Sequence, residues 1–113
     1  MTDEELLRCA AKAAGFAEPH SYRPKTNSLL WLGKESGVAT WRPLDDDAEA
    51  FKLMVQLGIR DYFGVEVQKT CVQATAFEPW EHCEYEEYKE QDPCAAARRA
   101  IVRAAAQIGK EMK

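Results

Sequence analysis

Apolar positions in the first fifteen residues recur every three or four places. At about 100° per residue, Leu6, Leu7, Cys9, Ala10, Ala13 and Ala14 share one face and Glu4, Arg8 and Lys12 the other, which predicts an amphipathic helix. Thr2 and Glu5 have the spacing of a capping box, and Gly15 supplies the C-terminal stop. Residues 16–28 carry Pro19, Pro24, Asn27 and Ser28 and read as loop. Two short apolar runs, 29–32 and 38–41, flank a five-residue loop with glycine at each end (Gly33 and Gly37) and predict a β-hairpin.

Pro43 breaks the chain, and Asp45, Asp46 and Asp47 open a second helix, suited to cap its free N–H groups and to its positive end. That helix is expected to stop at Gly58. Its apolar positions overfill one face. Ala48, Phe51, Met54 and Val55 form a stripe that Ala50, Leu53 and Leu57 widen, leaving Glu49, Lys52 and Gln56 as a narrow polar strip. Such a helix is sandwiched between other elements or lies at an interface with another chain. From Phe63 the period changes to two, and residues 63–67 and 71–77 predict a second hairpin whose turn, near Lys69 and Thr70, does not fix its register.

Residues 78–92 are acidic and aromatic and read as an extended loop. Asp92 as N-cap and Pro93 in the first turn then open a last helix, expected to reach Gly109. With Ile101 at zero on its wheel, Cys94, Ala97, Ala104, Ala105 and Ile108 fall within about 60°, while Arg99 and Arg103 point away and Arg98 lies on the flank. The expected order is α-β-β-α-β-β-α, with a small, mainly antiparallel sheet and no internal repeat.

Composition changes this picture little. With 113 residues there is room for one domain, 1–113, and 46% apolar with 30% charged residues is an ordinary globular mix. The acidic start is not a secretory signal, and no stretch approaches the roughly 18 apolar residues of a membrane span, so a cytoplasmic protein is expected. Four cysteines, none in a C-x-x-C pair, are then expected as free thiols. Charge is uneven. Residues 61–92 hold nine acids against two bases, whereas residues 93–113 hold one acid against five bases. A net charge of −4 with one local basic helix argues against a general nucleic-acid binder.

Candidate chemistry is sparse. Cys71, His82, Cys83 and Cys94 could be considered as zinc ligands, but structural zinc sites pair ligands two to four residues apart, and His82–Cys83 are adjacent. Cys83 as a nucleophile with His82 or His20 is opposed by Glu81, Glu84, Glu86 and Glu87, which disfavour a thiolate. The many carboxylates are accounted for by a helix cap and a solvated loop, and no phosphate-binding glycine loop is present. Arg98, Arg99 and Arg103 suit the outer face of a helix. They also suit the acidic 81–92 segment, within one chain or between two copies. Trp31, Trp41, Trp80, Tyr85 and Tyr88 offer a recognition patch or a lid on the core. No catalytic, cofactor-binding or metal-ligating residue is assigned.

The stretch Trp41-Arg42-Pro43-Leu44-Asp45-Asp46-Asp47-Ala48-Glu49-Ala50 resembles a W-x-P-L-x-D-D-x-x-A pattern of small uncharacterised bacteriophage and prophage proteins. The opening Glu4–Gly15 segment and the helix from Asp92 to Gly109 are similar to the ends of the same proteins, the phage ABA sandwich domain family. That resemblance implies a three-layer α-β-α sandwich and a phage or prophage origin, hence the host cytoplasm; it implies no reaction. The reading that follows is a non-enzymatic accessory protein, a binding module for a host or phage protein or for a second copy. Its expected partner surface includes Leu53, Leu57, Tyr85, Tyr88, Arg99 and Arg103. Neither a cofactor nor a small-molecule substrate is inferred. The alternatives are a metal-dependent or hydrolytic enzyme using His82, Cys83 and nearby carboxylates, and a nucleic-acid-associated protein using Arg98, Arg99 and Arg103.

Overall fold

In a computed structural model, residues 2–16, 21–33, 37–60, 63–76, 82–88 and 92–112 are described, without the side chains of 31–33, 37–39, 60, 82 and 83. Helix α1 spans Asp3–Ala14. The Thr2 hydroxyl accepts from the Glu5 N–H at 3.2 Å and donates to the Glu5 carboxylate at 3.2 Å, so the capping residues do pair. Gly15, at φ 86°, ends the helix in the left-handed region. Its N–H reaches Lys12 O and that of Phe16 reaches Ala11 O, which satisfies two last-turn carbonyls.

Three antiparallel strands follow: β1 (Ser21–Arg23), β2 (Ser28–Gly33) and β3 (Gly37–Trp41). The expected hairpin is present, with Leu29 opposite Trp41 and Gly33 opposite Gly37. Within residues 16–28, read as loop, β1 is an addition. It pairs Tyr22 with Leu29 and Arg23 with Ser28. Helix α2 runs Asp47–Arg60, and the Asp46 carboxylate caps it by accepting from the N–H groups of Ala48 and Glu49. The expected stop at Gly58 does not occur. Gly58 keeps a helical backbone, and Ile59 and Arg60 continue the helix.

The second sheet comprises β4 (Phe63–Val67), β5 (Cys71–Ala76) and β6 (His82–Glu87), again all antiparallel. Its first hairpin is the expected one, closed by the Gln68 N–H on Cys71 O at 2.8 Å. Strand β6 corrects the reading of 78–92 as loop. It pairs Glu84 with Ala74 and Glu86 with Val72. Helix α3 runs Pro93–Glu111 with Asp92 as N-cap and Pro93 in its first turn, as expected, but it passes Gly109 by two residues. The order is therefore α-β-β-β-α-β-β-β-α. The mixed, mainly antiparallel α/β sandwich class of the sequence reading holds, with its strands divided between two sheets.

The layers follow from the contacts. Helix α3 packs on β5 and β6 and, across its axis, against α1, which borders β2; α2 lies alongside α1, α3 and β4. One core joins Leu6, Leu7, Leu29, Trp41, Leu57 and Ile108, and a second joins Val72 and Ala74 to Ala96, Ala100 and Ala104. Helix α3 is thus apolar on nearly all sides, which explains its nine buried residues, far more than one stripe. Its alanines let it approach its neighbours closely. The extreme case is Gly109, where an added Cβ would fall inside the Cys9 carbonyl group of α1.

Candidate functional site

The three arginines of α3 point to three different elements. Arg98 donates to Leu44 O at 2.8 Å and pairs with Asp47 at the start of α2. Arg99 pairs with Asp3 of α1, donating to both carboxylate oxygens at 3.1 and 3.2 Å. Arg103 reaches β6, with Glu84 at 3.0 Å, Glu86 at 2.7 Å and Tyr85 O at 3.1 Å. The acidic segment and the basic helix therefore do meet within one chain, through Arg103. Arg98 and Arg99 satisfy other partners.

A polar cleft of about 340 Å³ lies over this cluster, lined by Leu6, Glu84, Glu86, Arg99, Arg103 and Gln107. Glu84 and Glu86 sit two residues apart on one face of β6, with Arg103 between their carboxylates. Here the Arg103 guanidinium bridges the two carboxylates, and the cluster joins α3 to sheet β4-β5-β6.

Asp3 is the hub of a second network. The Arg99 hydrogen bond holds its carboxyl below the ordinary value against a smaller opposing effect of partial burial, and a hydrogen bond from Asn27 and the Arg99 charge add to the lowering. Asn27 donates to Asp3 at 2.9 Å and accepts from the Tyr22 hydroxyl at 2.7 Å. Its backbone is left-handed at φ 48°, a conformation asparagine tolerates better than most residues. The β1–β2 turn, the start of α1 and the middle of α3 are thereby joined through polar atoms.

The expected partner surface is only partly on the surface. Leu53 and Leu57 are 2% and 0% exposed, part of the chain's own core, which corrects their assignment to an interface. Phe51, Val55 and Ile59 on the opposite side of α2 are 60%, 40% and 82% exposed. Successive members are four residues apart, so they form one row along the helix. The sequence showed excess apolar surface but not which half would be covered. Tyr85 is exposed, whereas Tyr88 is half-buried, its hydroxyl donating to Gln68 O at 2.6 Å. Trp41 lies in the core; Trp80, His20 and the side chains of Trp31, His82 and Cys83 fall outside the described residues.

Cys9, Cys71 and Cys94 are free thiols. Cys94, placed by its wheel position on the buried stripe, is exposed, although Ala96 two residues on is buried against the second sheet. Among the described residues no three His, Cys, Asp or Glu side chains group as metal ligands, and no helix is long and apolar enough to cross a membrane. No family model, no curated protein and no solved structure matches the chain.

Proposed function

We propose that this chain is a small non-enzymatic binding module that docks a partner protein on the outer face of α2. The observation that carries this reading is the row Phe51, Val55 and Ile59, three large apolar side chains left in water along two turns of helix. A helix presenting anchors at i, i+4 and i+8 is a recurrent way of meeting a hydrophobic groove. Leaving such a row exposed opposes folding economy unless something else covers it. The resemblance of residues 41–50 to phage proteins makes a host or phage protein in the host cytoplasm the first partner class to try.

The test is affinity capture with three versions of the chain: unaltered, F51D/I59D, and Glu66→Lys, an exposed position on β4 outside the row. A protein retained by the unaltered chain and by Glu66→Lys but lost by F51D/I59D supports the reading, given unchanged circular dichroism. Equal retention by all three, or no retained protein, counts against it.

A further inference from the structure

The outer face of sheet β1-β2-β3 holds an open concavity. Strand alternation sends Tyr22, Leu29 and Trp41 toward the core and leaves Arg23, Ser28, Leu30, Thr40 and Arg42 on the other side. These residues, with the β1–β2 turn, line an open concavity of about 770 Å³, within the range of small-ligand sites. Its floor is mainly apolar, from Leu30, Thr40 and Pro24, and its rim holds Arg23, Lys25 and Arg42.

The register makes the rim specific. Arg23 stands opposite Ser28, and Arg42 comes directly after β3, whose last residue Trp41 is the partner of Leu29, so the two arginines lie on either side of Ser28. Two strand spacings put their Cα atoms roughly 10 Å apart, close enough for both long side chains to lean over one group. Lys25 comes down from the turn, whose shape is fixed by Asn27 and by the Thr26–Ser28 hydroxyl contact at 2.6 Å. None of the three cations has an ion-pair partner among the described residues, in contrast to Arg98, Arg99 and Arg103. Three positive charges without an ion pair among the described residues stand together on one face of a chain of net charge −4.

We propose that this concavity binds a small organic phosphate monoester whose body is apolar or aromatic. A monoester carries nearly two negative charges near pH 7, which three cations match better than they match one carboxylate. Guanidinium groups engage phosphate oxygens in pairs. The floor of Leu30, Thr40 and Pro24 takes the body.

Phenyl phosphate is the probe, with inorganic phosphate and phenol as its two halves, followed by NMR in low-salt buffer. Phenyl phosphate should shift the Leu30 and Thr40 resonances saturably and bind at least about tenfold tighter than either half. Arg23→Gln and Arg42→Gln should each weaken it about tenfold or more while leaving the circular dichroism unchanged. Binding should also weaken below about pH 6, where the monoester takes up a proton. The proposal is overturned by no saturable shift up to about 10 mM ligand, by variants that bind as the unaltered chain does, or by inorganic phosphate binding as tightly. Tighter, steeply salt-dependent binding of a short single-stranded oligonucleotide would overturn it in favour of a nucleic-acid surface.

Discussion

At the scale of single residues, two helical glycines make opposite predictions. Gly109 is buried in α3 with the Cys9 backbone of α1 where its side chain would be, and backbone has no rotamer by which to give way. Gly109→Ala should force the two helices apart and destabilise the chain by about 1–3 kcal/mol, an overpacking cost spread over the core's most extensive helix contact. Gly58 is exposed, helical, and would place a Cβ 3.5 Å from Phe63 O, an ordinary contact. Gly58→Ala should therefore stabilise by about 0.5–1 kcal/mol, the usual helix-interior preference for alanine. Thermal melts of the two variants should move in opposite directions from the unaltered chain, at about 4–8 °C per kcal/mol for a domain near this size. The sequence reads Gly58, like Gly15, as a helix stop and Gly109 as the approximate end of α3. The stop occurs at Gly15, whose positive φ favours a residue without a Cβ, and not at Gly58.

At the scale of elements, the same electrostatics that fasten β6 also hid it. Its inward positions are Glu84 and Glu86, facing α3 where an apolar residue would ordinarily sit, and Arg103 meets both. Replacing Arg103 by methionine keeps much of the packing stem but leaves two half-buried carboxylates without their guanidinium. The expected loss is about 1–3 kcal/mol, with the solvent exposure of Arg103 favouring the lower end. Adding Glu84→Gln and Glu86→Gln should recover most of it, a coupling that denaturant melts of the single and combined variants would measure. A strand so built shows no period-two apolar signal, which is why residues 82–87 read as loop. Strand β1 escaped for another reason: with three residues it has one partly buried side chain, Tyr22, and no period to detect. The hairpins at 28–41 and 63–76, the Thr2, Asp46 and Asp92 caps and the Gly15 stop were legible, because each is local chemistry. The candidate surface was legible only as an excess of apolar residues on α2. Choosing Phe51, Val55 and Ile59 over Leu53 and Leu57 required knowing where α1, α3 and β4 would stand.

At the scale of the whole molecule, the Asp3 network should make stability depend on acid in a way that one substitution can isolate. Asp3 joins α1 to α3 through Arg99 and to the first sheet through Asn27, and Asn27 continues to Tyr22. Its carboxyl lies below the ordinary value when folded, chiefly because of the Arg99 hydrogen bond. The unfolded chain therefore binds this proton more readily than the folded one, and stability from Asp3 rises with pH across the interval between the two values. The contribution is complete above the unfolded carboxylate value, about 3.9. It is lost as pH falls through the lower, folded value. Asp3→Asn removes the titrating group and should destabilise the chain at pH 7. The gap between variant and unaltered chain should stay constant down to about pH 5 and close progressively below about pH 4. Urea melts at several pH values would follow that convergence; parallel curves for the two chains down to pH 2 would show that Asp3 does not couple these layers. Because Asp3 and Arg99 are each about a third exposed (35% and 34%), high salt should narrow the gap at pH 7 as well. Asn27 also shapes the turn that carries Lys25, so the Asp3→Asn chain offers a further readout. Asparagine can still meet Asn27 but holds Arg99 less firmly, so phenyl phosphate binding on the first sheet should survive a substitution that loosens the helices beneath it.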